Sequence, residues 1–423
     1  MSIELSVWLH GKHVGALAPH RNGARFAFDD AVAARHAGSP LLSTALPVRS
    51  EPFDAAATAN WFSGLLPEET RLDEVRRFYG IAGEEYLDVL GEIGWECAGA
   101  VQVLPEGTTP AAAGGVAPLS AAELAQRLAA LPSHPYDDAR TMRFSLGGFQ
   151  EKLCIVGDMC TGRQAGTAGL REFGMPRDSM PTTHILKPQP AAFPGLTRAE
   201  AWAMTAAGAA TPTAHVALLD WGQVTGPETL VVERFDRTIS ADGTVKRMHQ
   251  EDCCQALGLA PSRKYATEST PKKSDPSFAG IARLLARYAD DVNAELETLL
   301  RQMTVNVALG NTDAHAKNFA LLHEGGLVRL APLYDVVPAR EITPGTLSMG
   351  MRIDGRIRID RIRAEQLLGE AASWGLTRKH ATAVLQETLE ALRAGIEHAG
   401  ALYPAAACLH EQPALERLAA LLP

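Results

Sequence analysis

The segment Asn311–Asn318 carries three side chains whose types and spacing suit phosphoryl transfer. Asp313 is followed four residues later by Lys317 and five residues later by Asn318. In phosphotransferases an aspartate accepts the proton of the attacking hydroxyl, a lysine steadies the γ-phosphate charge, and an asparagine binds Mg²⁺. This chemistry depends on positioning and charge neutralisation, so a few well-placed side chains nearly suffice. Asp313 and Lys317 are therefore candidate catalytic residues, and Asn318 is a candidate metal ligand.

A hairpin pattern follows this segment and leads to a second aspartate. Phe319–Leu322 and Leu327–Leu330 are typical of short strands, and the intervening Gly325–Gly326 can adopt positive φ. Two antiparallel strands of equal length should bring Asp335 back near Asn318. Asp335 is thus predicted to be the second Mg²⁺ ligand, the one that bridges the nucleotide phosphates. The alternative left open is a surface hairpin flanked by unrelated acidic residues.

A glycine-bearing segment upstream is a candidate phosphate-binding loop. Two adjacent glycines between Ser145 and Lys152 allow backbone amides to approach an anion closely. The segment matches neither G-x-G-x-x-G nor a Walker A motif, so a simple Gly-Gly hairpin turn remains the alternative. Its position, with the strand-like Leu153–Val156 between it and the lysine-bearing strand Thr182–Lys187, favours phosphate binding. The candidate phosphate-binding residues are Leu146, Gly147, Gly148, Phe149, Gln150, Glu151 and Lys152.

Two further charged residues fit a nucleotide site. Lys187 ends the strand-like Thr182–Lys187, where a kinase small lobe places the lysine that grips the α- and β-phosphates. Glu200 lies on the predicted helix Thr197–Ala207, where a glutamate would pair with that lysine. However, Thr197–Glu200 also fits a capping box, which is a complete structural account of Glu200. Both interpretations of Glu200 stay open.

The end of a later apolar strand is a candidate hinge. It lies where the β-rich part of the chain meets the helical part, and a hinge there would offer backbone groups to adenine. Phe235 would pack near the base, and Asp236 would reach toward the ribose. A charged strand end with internal salt bridges is the alternative. The candidate nucleotide-binding residues are Glu233, Arg234, Phe235 and Asp236.

Composition limits the class of protein. A chain of 423 residues is long enough for two or three domains, and its net charge of −9 argues against sequence-independent DNA binding. Six cysteines without metal-ligand spacing indicate buried, reduced thiols. The N-terminus resembles no signal peptide, and no apolar run has membrane-spanning length. We expect a soluble, cytoplasmic protein without membrane contact.

The order of the elements predicts an α+β, two-lobed protein-kinase-like fold, with a β-rich N-terminal part and a mostly α-helical C-terminal lobe. From about residue 143 to residue 235 the pattern is one helix and a small, mostly antiparallel sheet, and helical periodicity dominates beyond residue 249. The predicted divisions are an N-terminal accessory subdomain at 1–105, a linker at 106–118, a small lobe with phosphate loop and hinge at 119–236, and a helical large lobe with the catalytic loop at 237–423.

Taken together, these motifs resemble the HipA-type toxin kinases of bacterial toxin–antitoxin pairs. The matching pieces follow one another in the family's order and cover most of the chain. They are Trp61–Glu68, Cys97–Gln102, Ser145–Lys152, Thr183–Lys187, Val232–Arg237, His249–Gly258, Asn311–Asn318 and Tyr334–Val336. A run as long as His249–Gly258 is far more specific than any single glycine pattern.

The resemblance implies a serine/threonine protein kinase that uses ATP and Mg²⁺ and autophosphorylates at Ser145. The best-known family substrate is a glutamyl-tRNA synthetase, whose phosphorylation arrests translation and growth. The usual partner is a helix-turn-helix antitoxin, which brings the kinase to operator DNA. Other functions left open are a small-molecule or lipid kinase and a non-catalytic co-repressor of a DNA-binding antitoxin.

One stretch departs from the family pattern. The family has Gly-Gly-Pro after the segment matched by Ser262–Tyr265, whereas this chain has Thr270–Ser274. The region is a basic loop, for which solvation is the default and attraction of an acidic substrate is the alternative. The predicted substrate is therefore less well supported by the resemblance than the predicted chemistry.

Overall fold

The computed structural model describes residues 4–21, 23–82, 86–111, 114–131, 144–145, 150–240, 243–272, 274–343 and 345–423. Its first part, here called the N-terminal unit (residues 5–105), is built on an antiparallel four-stranded sheet in the order β3-β2-β1-β5. Buried aromatic side chains, including Phe26, Trp61 and Phe62, pack its helices onto this sheet. The elements are β1 Leu5–Leu9, β2 Lys12–His20, β3 Gly23–Phe28, α1 Asp30–His36, α2 Ala55–Phe62, α3 Glu69–Tyr79, α4 Tyr86–Ile93, β4 Glu96–Cys97 and β5 Val101–Pro105.

A six-stranded sheet forms the next part of the chain. Its elements are β6 Gly115–Pro118, α5 Ala121–Ala130, β7 Phe144–Ser145, β8 Leu153–Thr161, β9 Thr167–Arg177, β10 His184–Pro188, α6 Leu196–Ala207, β11 Val216–Leu219 and β12 Thr229–Glu233. The strand order is β11-β12-β10-β8-β9-β6, and β11 also pairs with β9, so the sheet closes on itself. The segment 106–118, predicted as a linker, is thus partly a strand, because β6 pairs with β9.

Alternation along the strands gives this sheet two buried faces. Leu230 and Val232 of β12 join the core formed by α6 and the large-lobe helices. Val231, between them, packs with Leu186 of β10 and Leu124 of α5 on the other face. Helix α5 begins at a capping box, in which Ser120 and Glu123 exchange hydrogen bonds. The central strand β10, which carries Lys187, is therefore held from both sides.

The remaining chain is mostly helical, and it contains the predicted hairpin. The elements are β13 Arg237–Ile239, β14 Val245–Arg247, β15 His249–Asp252, α7 Cys253–Ala256, α8 Phe278–Tyr288, α9 Val292–Ala308, β16 Ala320–Glu324, β17 Leu327–Leu330, α10 Ala339–Ile342, β18 Ser348–Ile353, β19 Arg356–Arg358, α11 Ala364–Ser373, α12 Arg378–Leu402 and α13 Pro404–Ala420. Strands β16 and β17 pair antiparallel, and Gly325 and Gly326 turn the chain with φ of 60° and 89°. The α+β, kinase-like architecture expected from the sequence is confirmed. Within the described residues, no helix is both long and apolar enough to cross a bilayer.

A buried cluster of five charged side chains joins the N-terminal unit to the rest of the protein. Glu96 of β4 binds Arg234 at 3.1 Å, Arg237 at 2.9 Å and Arg247 at 2.6 Å, and Asp236 binds Arg234 at 2.8 Å. Burial alone would raise the pKa of Glu96, but the three guanidinium groups hold this pKa at about 2. The contact thus depends on complete pairing of buried charges.

We expect Glu96→Gln to lower the free energy of unfolding at pH 7 by about 3 kcal/mol, because it leaves buried guanidinium groups without a compensating charge. Urea unfolding measures this value, and Glu106→Gln, at an exposed position, is the matched control. Because the pKa of Glu96 falls from 4.5 to about 2 on folding, its contribution is complete above pH 4.5 and is lost as the pH falls toward 2. An unfolding curve equal to that of Glu106→Gln would contradict the prediction.

Candidate active site

The ammonium group of Lys187 contacts two carboxylates from separate parts of the chain. The ammonium lies 2.6 Å from Oε1 of Glu200 on α6 and 2.6 Å from Oδ1 of Asp335, which follows β17 and its exit loop. The side chains of Lys187 and Glu200 are 11% and 2% exposed. The capping-box interpretation of Glu200 is wrong: α6 begins after Gly195, with no side-chain cap. Glu200 instead pairs with Lys187, as in the other interpretation.

Burial and neighbouring charges shift the pKa values of the ionisable groups at this centre. Burial by itself would lower the pKa of Lys187, but Asp335 and Glu200 raise it, so the ammonium stays charged. Burial would likewise raise the pKa of Asp335, but Lys187 brings it down to about 2. Lys152, at the start of β8, has its pKa lowered to about 8 by burial and by Lys187, against the attraction of Asp335. A phosphate group would relieve the repulsion between the two lysines.

The candidate phosphate loop is described only in part. Leu146, Gly147, Gly148 and Phe149 lie outside the described residues, as does the side chain of Ser145. The backbone of β7, Phe144–Ser145, pairs with β4 of the N-terminal unit. Glu151 binds Arg71 of α3 at 2.8 Å, so its carboxylate holds the N-terminal unit. The amide nitrogen of Gln150 is buried and, among the described residues, has no hydrogen-bond partner.

In the candidate catalytic loop, residues 311–318, the carboxyl group of Asp313 is affected by the charge of Asp335. Burial raises the pKa of Asp313, and the charge of Asp335 raises it further. The hydroxyl of Tyr265 donates to Oδ1 of Asp313 at 2.6 Å. Asn318 donates from its amide nitrogen to the backbone carbonyl of Asp313 at 3.1 Å. The loop therefore holds Asn318 against Asp313, and Asp335 lies close enough for its charge to affect the pKa of Asp313.

Lys317 is held away from the solvent by the protein itself. Its ammonium donates to Oδ2 of Asp252 at 2.6 Å and to the carbonyl of Gly64, in the N-terminal unit, at 3.0 Å. The hydroxyl of Tyr334 donates to the Lys317 carbonyl at 2.6 Å. These contacts make Lys317 a link between the catalytic loop and the N-terminal unit. A direct contact with the γ-phosphate stays a prediction.

Asn318 and Asp335 have the donor chemistry that Mg²⁺ prefers. Asp335 adopts the left-handed conformation, with φ of 59°, and its side chain remains 41% exposed although Oδ1 contacts Lys187. Among the described residues, no group of three or more histidine, cysteine, aspartate or glutamate side chains could hold a metal ion. Mg²⁺ usually takes one or two protein ligands and completes its shell with water and phosphate oxygens. The pair fits this ion when a nucleotide is present.

The candidate hinge divides into buried and accessible side chains. Arg234 and Asp236 belong to the buried cluster around Glu96, and Asp236 also accepts from the backbone of Gly99 at 2.7 Å. Asp236 is 2% exposed, so this geometry does not support its predicted contact with ribose. Phe235 packs against Tyr334, with ring centroids 5.4 Å apart, which suits a wall of an adenine pocket. The side chain of Glu233 is 53% exposed.

Several residues that touch the site were not singled out as site residues by the sequence. Tyr265 was noted only as part of a basic loop. Gly64, Glu68 and Asp252 lie within motifs that carry the family resemblance, yet no spacing rule connects them to Asp313. Only the family order of those motifs offered a signal. The contacts themselves join residues about 50 to 250 positions apart.

Comparisons with known proteins identify the family of this chain. The family model described as the HipA-like C-terminal domain matches residues 144–396, and that of the HipA N-terminal domain matches residues 5–104. A protein of Sinorhizobium fredii named as a kinase, Y4mE, is 36% identical over 94% of this chain and 93% of its own length. The serine/threonine-protein kinase toxin HipA of Shewanella oneidensis is 28% identical over 77% of this chain and 74% of its own.

A solved structure shows the same fold. It is the Shewanella oneidensis HipA in complex with HipB and operator DNA, with a TM-score of 0.80 and 23% identity over 99% of this chain and 97% of that one. The likeness extends from the N-terminal unit to the last helix. With two family models matched along it, the chain belongs to the HipA-like family and is a kinase of that family.

Proposed function

We propose that this chain is a serine/threonine protein kinase and the toxin of a toxin–antitoxin pair. The observation that carries the proposal is the Lys187 ammonium, shared between Glu200 and Asp335 at 2.6 Å each. In protein kinases the strand lysine must pair with a helix glutamate, and the metal-binding aspartate must be in place, before phosphoryl transfer occurs. The Lys187–Glu200 contact supports the first condition, and the position of Asp335 beside Lys187 supports the second.

In this proposal Asp313 accepts the proton of the acceptor hydroxyl as that oxygen bonds to the γ-phosphorus of ATP, and the bond to the bridging oxygen breaks so that ADP leaves. Burial raises the pKa of Asp313, which makes its carboxylate a better proton acceptor. Lys187 and Lys152 bind the phosphates, together with the backbone of the 146–152 loop. Asn318 and Asp335 would hold Mg²⁺, which neutralises phosphate charge when bound. Lys317 remains the candidate for offsetting developing charge, and its contacts with Asp252 and Gly64 support a second task, holding the loop.

The hinge at 233–236 would hold the adenine. Its backbone groups are proposed to bind the base, and the Phe235 ring to pack against it. Because the side chains of Arg234 and Asp236 are engaged by Glu96 and Gly99, their part in nucleotide binding is to fix this backbone. The accessible Glu233 is then the side chain of the hinge with most freedom to meet solvent or ligand.

The expected partners follow from the relatives. The Shewanella oneidensis HipA is found with HipB and operator DNA, so we propose a helix-turn-helix antitoxin as partner here. DNA would be reached through that antitoxin, in keeping with a net charge of −9. A glutamyl-tRNA synthetase is the proposed protein substrate, with translation and growth arrest as the result in the cytoplasm. Ser145 is the proposed site of autophosphorylation.

Asp313→Asn should abolish growth inhibition and phosphoryl transfer, because the amide cannot accept the hydroxyl proton. Binding to a co-expressed helix-turn-helix antitoxin should remain intact, since the substitution is isosteric. Induction in cells, followed by antitoxin pull-down, measures both. A variant that remains equally toxic would favour the non-catalytic co-repressor.

Incubation with γ-³²P-ATP and a cell lysate identifies the class of acceptor. We expect labelled protein bands that are absent with Asp313→Asn, and phosphoproteomics after brief induction should report phosphoserine in a glutamyl-tRNA synthetase. Label confined to small molecules would indicate a small-molecule or lipid kinase. Phosphorylation of other proteins only would overturn the proposed substrate and leave the kinase chemistry in place.

Glu200→Gln should lower the rate of phosphoryl transfer by about a hundredfold, because Lys187 loses the carboxylate that holds it toward the phosphates. Single-turnover transfer from γ-³²P-ATP measures this rate. Glu228→Gln is the matched control, since Glu228 binds Arg198 on the same helix but at an accessible position. Equal rates for the two variants would contradict a catalytic role for the Lys187–Glu200 pair.

A further inference from the structure

One short segment of the N-terminal unit, residues 64–71, contacts three separate loops of the candidate site. The carbonyl of Gly64 accepts from Lys317 of the catalytic loop at 3.0 Å. Glu68 binds Lys264, the neighbour of Tyr265. Arg71 binds Glu151, at the end of the candidate phosphate loop, at 2.8 Å. The 64–71 segment therefore contacts the loop of the proposed base, the candidate phosphate-binding loop and the loop of Tyr265.

The contact through Lys264 continues to the carboxylate of Asp313. The backbone N–H of Ala316 donates to the carbonyl of Lys264 at 3.1 Å. The hydroxyl of Tyr265 donates to Oδ1 of Asp313 at 2.6 Å, and the Tyr265 ring meets the His315 ring edge-on, 4.9 Å between centroids. Lys264 and Tyr265 thus contact the catalytic loop through a backbone hydrogen bond, a hydroxyl hydrogen bond and a ring–ring contact.

The Glu68 side chain pairs with Lys264 and does not cap its own helix. Glu68 is the N-cap residue of α3, yet its side chain makes no cap hydrogen bond. The side chains of Lys264 and Glu68 are 16% and 13% exposed, so solvent screens the pair less than a surface pair. Burial would raise the pKa of Glu68, but Lys264 lowers it, so Glu68 is ionised at neutral pH. The pair therefore connects the N-terminal unit to the Tyr265 backbone.

We infer that Glu68 and Tyr265 are positioning residues for phosphoryl transfer, with Lys264 as the link between them. The inference rests on the proposed function, in which Asp313 is the base. A carboxylate held through Oδ1 cannot rotate freely, so Oδ2 stays directed at one place for the acceptor hydroxyl. Tyr265 is 47% exposed, so its ring contributes little to the core, and the contact with Asp313 is its distinctive feature. The N-terminal unit is thereby part of the catalytic apparatus.

The test uses the full-length chain, γ-³²P-ATP and dephosphorylated casein as a generic serine- and threonine-containing acceptor. Glu68→Lys and Lys264→Glu should each lower kcat about tenfold, with the KM for MgATP changed less than about twofold. The double variant restores the ion pair in reverse and should recover most of the lost rate. Tyr265→Phe should lower kcat to a similar extent, and no charge reversal elsewhere should rescue it.

Matched controls separate positioning from folding. Glu106→Lys reverses an exposed charge in the same unit, and Tyr288→Phe removes a hydroxyl that makes no hydrogen bond within the described residues. Both should keep the wild-type rate. Amide hydrogen exchange over residues 313–318 gives a readout independent of activity: Glu68→Lys should speed exchange there, and the double variant should reverse this.

The outcomes distinguish this inference from the proposed function. A wild-type chain without transferase activity toward any protein would overturn the proposed function, and exchange would still test the support of the loop. An active wild type with unchanged kcat in Glu68→Lys and Tyr265→Phe would overturn the inference alone. Absence of rescue in the double variant, with exchange equal to that of Glu68→Lys, would also overturn it.

Discussion

The buried ammonium of Lys187 is the interaction on which the arrangement of the site depends. It joins the central strand β10, helix α6 through Glu200, and the exit of the β16–β17 hairpin through Asp335. A buried charge that loses one of its partners costs several kcal/mol, about 3 to 5 in measured cases. Each of the three elements is thereby held in place by the other two. Displacement of α6 would leave the Glu200 carboxylate unpaired and would remove one of the two partners of Lys187.

The N-terminal unit is attached by buried polar groups rather than by apolar area alone. Besides the cluster around Glu96, the buried carboxylate of Glu251 accepts hydrogen bonds from Ser43 at 2.5 Å, the backbone of Thr44 at 2.8 Å and Trp61 at 3.0 Å. Such groups are costly unless every partner is present, so they specify one relative position of the two parts. In that position the 64–71 segment contacts the catalytic loop.

Interpretations from the sequence succeeded where local rules decide and failed where a distant partner competes. Gly325–Gly326 turned the predicted hairpin, because glycine adopts positive φ at no steric cost. At Glu200 the predicted capping box did not form, because α6 begins after Gly195 and the Glu200 carboxylate pairs with Lys187 instead. Asp236 was likewise predicted to reach toward ribose, but its carboxylate pairs with the guanidinium groups of Arg234 and Arg237.

The amino-acid sequence alone supplies the residue types, the Asp313 to Asn318 spacing, the hairpin pattern that leads to Asp335, and the order of motifs that marks the family. These are properties of short segments, where backbone geometry and periodicity act over a few residues. The folded protein was needed to show which charges pair: Lys187 with Glu200, Lys317 with Asp252, and Glu68 with Lys264. Removal from water strengthens the attraction within a pair and makes an unpaired charge costly, and burial is set by segments that meet only after the whole chain has folded.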